Sequence, residues 1–410
     1  MAVNGVFWVP MALLQQTAAY VIAFVAQYHG AKEEEKIGSS VWQAIYVSVI
    51  GGILFLFLNF FSSWFFSLAG HSPSVQILEV EYYNSLAFSA LPTALVGAIS
   101  GFYTGLGKTR IVVYINLMGL LLNAFLDYVL IFGNLEFPEM GIAGAGYATS
   151  IATYGAALYG CLLIFQKRNE AVFKVRTSWK FNFPLIQQFL KFGIPSGLQW
   201  ALEGMAFTVF LMVMGKMQNG DAALASSSIA VTLMLLSVLP SMGIAQSVMT
   251  LVGQNLGSKN PSEAEANTYS GIQLSLIYMA FVSLTFFLIP EFYISWFRNA
   301  ENLVLWNDTQ YLALNMLRMV AIFTTLDSIF MNVSFALKGA GDTRFVSFVS
   351  LLLPWPLFVL PTYLMKDLPN APLLAWGSVT VYAIVINIVL FRRFRGGKWK
   401  TMSVIHPVSQ

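Results

Sequence analysis

The chain has 410 residues, 57% of them hydrophobic and only 10% charged, with a net charge of +3 at neutral pH and a mean hydropathy of +0.68. A soluble domain carries about 25% charged residues, so this chain cannot clothe a water-facing surface of its size and belongs in a bilayer. A single cysteine, Cys161, excludes an internal disulfide framework or a thiolate cluster. The three histidines, His29, His71 and His406, lie too far apart in sequence for a histidine metal site, and neither a metal, an organic cofactor nor a nucleic-acid partner is expected.

Windows of about 20 residues, enough to cross the hydrocarbon, find the first apolar span near 5–28. It runs into Val25, Gln27, Gly30 and Lys32, then a solvated charge run ending at Lys36. Spans follow near 42–69 and 83–104, the latter interrupted by Pro92 and closed by Gly105, Gly107, Thr109 and Arg110. The stretch from Gly101 to Thr109 resembles a phosphate loop but fails, because Phe102 stands where that motif needs glycine. The span 111–133 carries Asn123 and Asp127, four apart and so on one helical face, and 141–165 carries Thr149. A polar, basic stretch, 166–188, then reads as a linker.

Six more spans are expected near 189–215, 225–252, 270–290, 309–337, 345–365 and 372–394, followed by a basic tail over 395–410. They contain Pro195, Pro240 and the cluster Pro354, Pro356 and Pro361, each removing a backbone donor and permitting a bend. The fold class is therefore an all-α integral membrane protein with an N-terminal lobe of five spans, 1–165, and a C-terminal lobe of six, 189–394.

The loop signals occur twice. Val25, Gln27, Gly30 and Lys32 return as Val252, Gln254, Gly257 and Lys259, while Gly105, Gly107, Thr109 and Arg110 return as Gly339, Gly341, Thr343 and Arg344. The offsets, 254 − 27 = 227 and 339 − 105 = 234, are close enough to indicate two parallel repeats of one multi-helix unit. A full span precedes the second copy of the first signal and only 26 residues precede Gln27, so one helix of the repeat is expected to be missing at the start. Lys32, Lys36, Lys108, Arg110, Lys167, Arg168, Lys174, Arg176, Lys180, Lys191, Lys259, Lys338, Arg344, Arg392, Arg393, Arg395, Lys398 and Lys400 fall on one side, against Lys216, Arg298 and Lys366 on the other. The first side is therefore expected to be cytoplasmic, with the C-terminus there and Met1 outside.

Ionisable groups at membrane depth are the candidate site. Glu203 and Asp327 each fall near the middle of a span, where a carboxylate costs about 2.5–3.5 kcal/mol on insertion scales. Burial penalises the charged form and a bound cation restores it, so such acids suit an exchangeable cation. Asn123, Asp127 and Thr149 offer a second set of oxygens suited to a hard cation, with Asp127 reading equally well as a packing acid near the interface.

Several segments together resemble the multidrug and toxic compound extrusion (MATE) family: Val25 to Lys32, Asn123 to Gly133, Gly141 to Thr149, Gly193-Ile-Pro195 followed by Glu203, and Leu337 to Thr343. The resemblance covers essentially the whole chain from the family's second helix onward. It implies a fold of 6 + 6 helices, of which 5 + 6 are present here, and a NorM-like antiporter in the cell membrane, the inner membrane of a bacterium. Such a carrier exports cationic or amphiphilic small molecules, acts as a monomer and is driven by Na⁺ or H⁺. It also implies that Glu203 and Asp327 form the coupling-ion site of the C-terminal lobe and that Asn123, Asp127 and Thr149 match that of the N-terminal lobe. Phe323 stands where some members have a tyrosine. Alternatives are a lipid or polysaccharide flippase of the same superfamily, a non-functional truncated transporter, or a membrane-embedded enzyme, for which no clustered histidines or nucleophile with a base are seen.

Overall fold

A computed structural model describes residues 2–67, 72–298 and 303–406, with the side chains of 2–6, 303 and 304 left aside; Met1, His71 and the tail residues 407–410 lie outside the described residues. Among the described residues every regular element is helical. Ten helices are long and apolar enough to cross a membrane, and an eleventh span is made by Pro73–Ala87 and Ala90–Gly105, bent by 41°. Five spans precede the linker: Phe7–Gly30, Glu34–Ser67, the bent pair, Thr109–Phe132 and Gly141–Ile164. Six follow it: Phe183–Met214, Gly220–Gly257, Pro261–Leu288, Leu305–Ala340, Thr343–Met365 and Ala371–Arg395. Among the described residues ten of the expected eleven spans are single helices, and the bent pair stands at the place of the third.

Several helices outrun their apolar windows. Gly220–Gly257 has 38 residues, about 57 Å at the α-helical rise, against about 30 Å of hydrocarbon, so its polar ends reach water. The prolines act unequally. The 41° bend falls at Phe88–Ser89, where the missing N–H of Pro92 denies the Phe88 carbonyl its helical donor. Pro195 and Pro240 stay inside unbroken helices. Pro354 and Pro356 coincide with a change of winding, from the α-helix Thr343–Leu352 to a π turn at Trp355–Val359 and back to α at Leu360–Met365.

Packing sorts the chain into two compact units: Met1–Ala201 with Gly253–Asn260 and Ser403–Gln410, and Leu202–Val252 with Pro261–Met402. In the first, Met11, Phe55, Phe66, Tyr83, Ala87 and Ala90 form a buried core. The linker is docked on this unit. Trp42 donates its indole N–H to the Val175 carbonyl at 2.7 Å, and Arg176 Nε donates to the Phe165 carbonyl at 2.6 Å. Glu170 accepts from the Arg176 backbone and, at 2.8 Å, from the Thr177 hydroxyl, bonds that hold its carboxyl below the usual carboxylate range. The tail also returns here, with Ser403 Oγ and the Val404 N–H donating to Gln27 Oε1 at 3.0 and 2.9 Å.

The sequence repeat recurs in the backbone hydrogen bonds. Lys32 and Lys259 both adopt the left-handed region, with φ of 59° and 60°. The Glu33 N–H donates to the Tyr28 carbonyl at 2.9 Å and the Asn260 N–H to the Asn255 carbonyl at 2.8 Å, each bond closing a helix C-terminus over six residues. The second signal behaves alike: Gly107 and Gly341 have φ of 72° and 103°, and the Lys108 and Asp342 N–H groups donate to the Tyr103 and Leu337 carbonyls, both at 2.8 Å. Within the first unit the duplicated glycines meet reciprocally. A Cβ on Gly30 would lie 1.9 Å from the Gln254 carbonyl oxygen, and one on Gly257 would lie 2.1 Å from that of Gln27.

The second unit is built on a larger core in which the Phe210 ring packs edge-on against Trp376 and Phe358, at 5.9 and 5.8 Å. The Trp376 indole donates to Ser227 Oγ at 3.1 Å. Arg393 grips buried Asp342 through two hydrogen bonds of 2.7 and 3.2 Å and lies 4.6 Å over the Phe345 ring. Asp342 occupies the repeat position of Lys108, so the two turns share a backbone and differ in their anchor.

Candidate transport site in the second unit

Glu203 stands on the span Phe183–Met214 and Asp327 on Leu305–Ala340, both well inside their helices and both partly accessible. They belong to one electrostatic cluster: the charge of Glu203 acts on Asp327, on Lys338 and on Tyr382, and that of Asp327 also acts on Tyr382. Glu203 Oε1 accepts a 2.6 Å hydrogen bond from Ser350 Oγ, on the span Thr343–Met365. Four spans thus converge on the two acids, with Tyr382 contributed by Ala371–Arg395.

Sequence reasoning missed three of these groups. Lys338, counted above among the loop cations, is 2% exposed; its ammonium lies 5.0 Å over the Phe335 ring with Glu203 in its field. Tyr382, on the last span, lies in the field of both acids, while Phe323 and Tyr382 both pack against the apolar core. Ser350 is fully buried. With both acids ionised the cluster carries two negative charges and one positive, leaving one unit for an exchangeable monovalent cation. The Ser350 hydroxyl beside the Glu203 carboxylate suits Na⁺ as part of a hard ligand set and equally suits a hydrogen-bonded carboxylic acid.

The N-terminal candidates are only partly brought together. Asn123 Nδ2 donates to Thr149 Oγ1 at 3.4 Å, while the Thr149 hydroxyl donates back to the Ala145 carbonyl at 3.0 Å. Asp127 shares the Asn123 face of Thr109–Phe132 and is half-buried, but neither residue is joined to it by a hydrogen bond or ion pair among the described residues. Tyr128, Phe125 and Leu121 around it are exposed, as is most of this helix.

A family model described as MatE matches residues 2–129 and 195–364, well over half of the chain and including Asn123, Asp127, Glu203 and Asp327. The chain belongs to the MatE family. This is a family of membrane transporters and not of enzymes, which removes the membrane-embedded enzyme reading. The MatE chain is 24% identical over 408 residues to a probable multidrug resistance protein NorM of Thermotoga maritima, covering 98% of this chain and 85% of that one. It is 26% identical over 370 residues to a protein of the same name from Bacillus licheniformis, covering 88% and 80%. Among solved structures it is similar to a MOP superfamily transporter from Pyrococcus furiosus, with a TM-score of 0.87 and 20% identity over 98% of this chain and 89% of that chain. An outward-facing multidrug resistance MATE family transporter matches with a TM-score of 0.85 and 21% identity over 98% and 88%. These likenesses establish the all-α transporter fold.

Proposed function

We propose that this MatE protein is a secondary active antiporter that exports cationic or amphiphilic compounds in exchange for Na⁺ or H⁺, working as a monomer in the cell membrane with its C-terminus in the cytoplasm. The reading rests on one observation above the others: Glu203 and Asp327, from distant spans, act on each other at membrane depth in a cluster of net charge −1. It is supported by the name of the NorM relatives. In this reading the repeats form lobes at 1–165 and 189–394 joined by 166–188, and the carrier alternates between inward-open and outward-open states. A coupling cation and a cationic substrate compete for the same negative charge. Each shifts the equilibrium by its differential affinity for the two states. Asn123 and Thr149, with Asp127, are an auxiliary cation site.

A flippase for phosphate-bearing lipids or saccharides would need a site of net positive charge, and Lys338 only partly offsets the two acids. The test is dye efflux from vesicles carrying the purified full chain, under an imposed sodium or pH gradient. Glu203→Gln and Asp327→Asn are each expected to lower ion-coupled efflux at least tenfold, with monodispersity and thermal unfolding unchanged. Ion-dependent export at the original rate from both variants would refute the assignment, and the gradient that drives the unaltered protein identifies the ion.

A further inference from the structure

The π turn at Trp355–Val359 opens one wall of its span. Against it, the far end of Phe183–Met214 leaves a groove of about 760 Å³ lined by Val209, Val213, Leu352, Trp355, Val359 and Tyr363 among other apolar side chains. That is within the usual range for a small-molecule site, about 300–1,000 Å³. Leu352, Trp355 and Tyr363 are 52%, 37% and 54% exposed, so the groove is open on the surface of its unit and not closed within the core.

Two lysines stand just past the ends of the helices that line it. Exposed Lys216 lies in the turn just beyond Met214, where the helix that carries Val209 and Val213 ends. Lys366 leans over the Tyr363 ring at 4.8 Å, with exposed Asp367 beside it in the chain. Counting spans from the linker puts both lysines on the side opposite the linker, where the loops hold only Lys216, Arg298 and Lys366. Cations are depleted on that side, yet two of the three stand at the ends of the two helices that make this groove.

We propose that the groove is a binding site for one anionic phospholipid of the leaflet opposite the linker, an acyl chain filling the apolar wall and the phosphate paired with Lys216 and Lys366. The site is separate from the acid cluster and independent of the exchange reading. It adjoins that cluster, because Leu351 and Leu352 in its wall directly follow Ser350, the residue that donates to Glu203.

Native mass spectrometry of the full chain, equilibrated with mixed micelles of phosphatidylglycerol and phosphatidylcholine, tests this. The unaltered protein is expected to retain one phosphatidylglycerol, with about thirtyfold preference over phosphatidylcholine, the size that two lysines near a headgroup supply. Lys216→Gln with Lys366→Gln should remove the preference and leave phosphatidylcholine retention as it was, while Val213→Trp with Leu352→Trp should remove retention of both. Equal retention of the two lipids by the unaltered protein, or undiminished phosphatidylglycerol in either variant, overturns the proposal. Displacement of the lipid by tetraphenylphosphonium would mark the groove as a substrate entrance, and a dimer that the tryptophans dissociate would mark it as a contact between copies; either result overturns it too. Should the tryptophan variant fail to fold, the lysine pair decides alone.

Discussion

Lys338 resets the charge count of the acid cluster. In the proposed exchange, a buried ammonium in the field of Glu203 does part of the work that a second metal ion or proton would otherwise do. Lys338→Met leaves two carboxylates with no resident cation, so two exchangeable cations are needed where one sufficed. The ion dependence of dye efflux should steepen, its Hill coefficient rising from about 1 to about 2 as the number of linked sites doubles; an unchanged steepness would place Lys338 outside the exchange. Glu203 and Asp327 were legible in the sequence because an acid within an apolar run of helical length is costly enough to need a reason. Ser350, Tyr382 and the depth of Lys338 were not, since hydropathy gives no rotational register between one span and the next. Lys338 looked like a loop cation because it lies two residues before Ala340, where its helix ends. A long helix that runs past its apolar window buried it instead.

At the scale of elements, Gly30 and Gly257 in the duplicated turns are among the most closely packed glycines of the described residues. Gly30→Ala or Gly257→Ala drives a methyl group to within 1.9 or 2.1 Å of a backbone carbonyl oxygen, and the backbone must shift, at about 1–3 kcal/mol by the cost of overpacking. Gly107→Ala is the contrasting case. No atom lies within 4 Å of its added Cβ, but φ is +72°, so the cost is left-handed strain alone, about 1–2 kcal/mol. Thermal unfolding in detergent should therefore rank Gly30→Ala and Gly257→Ala at or below Gly107→Ala, and relieve only the latter when asparagine, which tolerates the left-handed region, replaces alanine. A reversed order would mean that the reciprocal glycine contact is looser than it looks. The apolar helices were readable from hydropathy, and the turns from their repeated residues. The bend at Phe88–Ser89 was foreshadowed by Pro92, but nothing in sequence separates it from Pro195 and Pro240, whose helices run on unbroken.

For the molecule as a whole, charge asymmetry carries the proposed orientation, and sulfhydryl labelling can test it because Cys161 is the sole cysteine. With Cys161→Ala as background, Asn219→Cys and Ser258→Cys place a thiol on exposed turns at opposite ends of Gly220–Gly257. An impermeant maleimide should label the first on intact cells and the second only after permeabilisation; the opposite pattern would invert the topology. The parallel repeat was legible from two short signals because each marks a helix end whose backbone geometry admits few sequences, whereas the apolar residues between them are interchangeable among many helices. The docking of Ser403 and Val404 on Gln27, 376 and 377 residues away, left no such mark. It has a consequence for biogenesis. Gln27 enters the bilayer before the ten spans that follow it, while the groups that satisfy its side-chain oxygen leave the ribosome only after those spans, so maturation of the helix that carries Gln27 has to wait for a segment made much later.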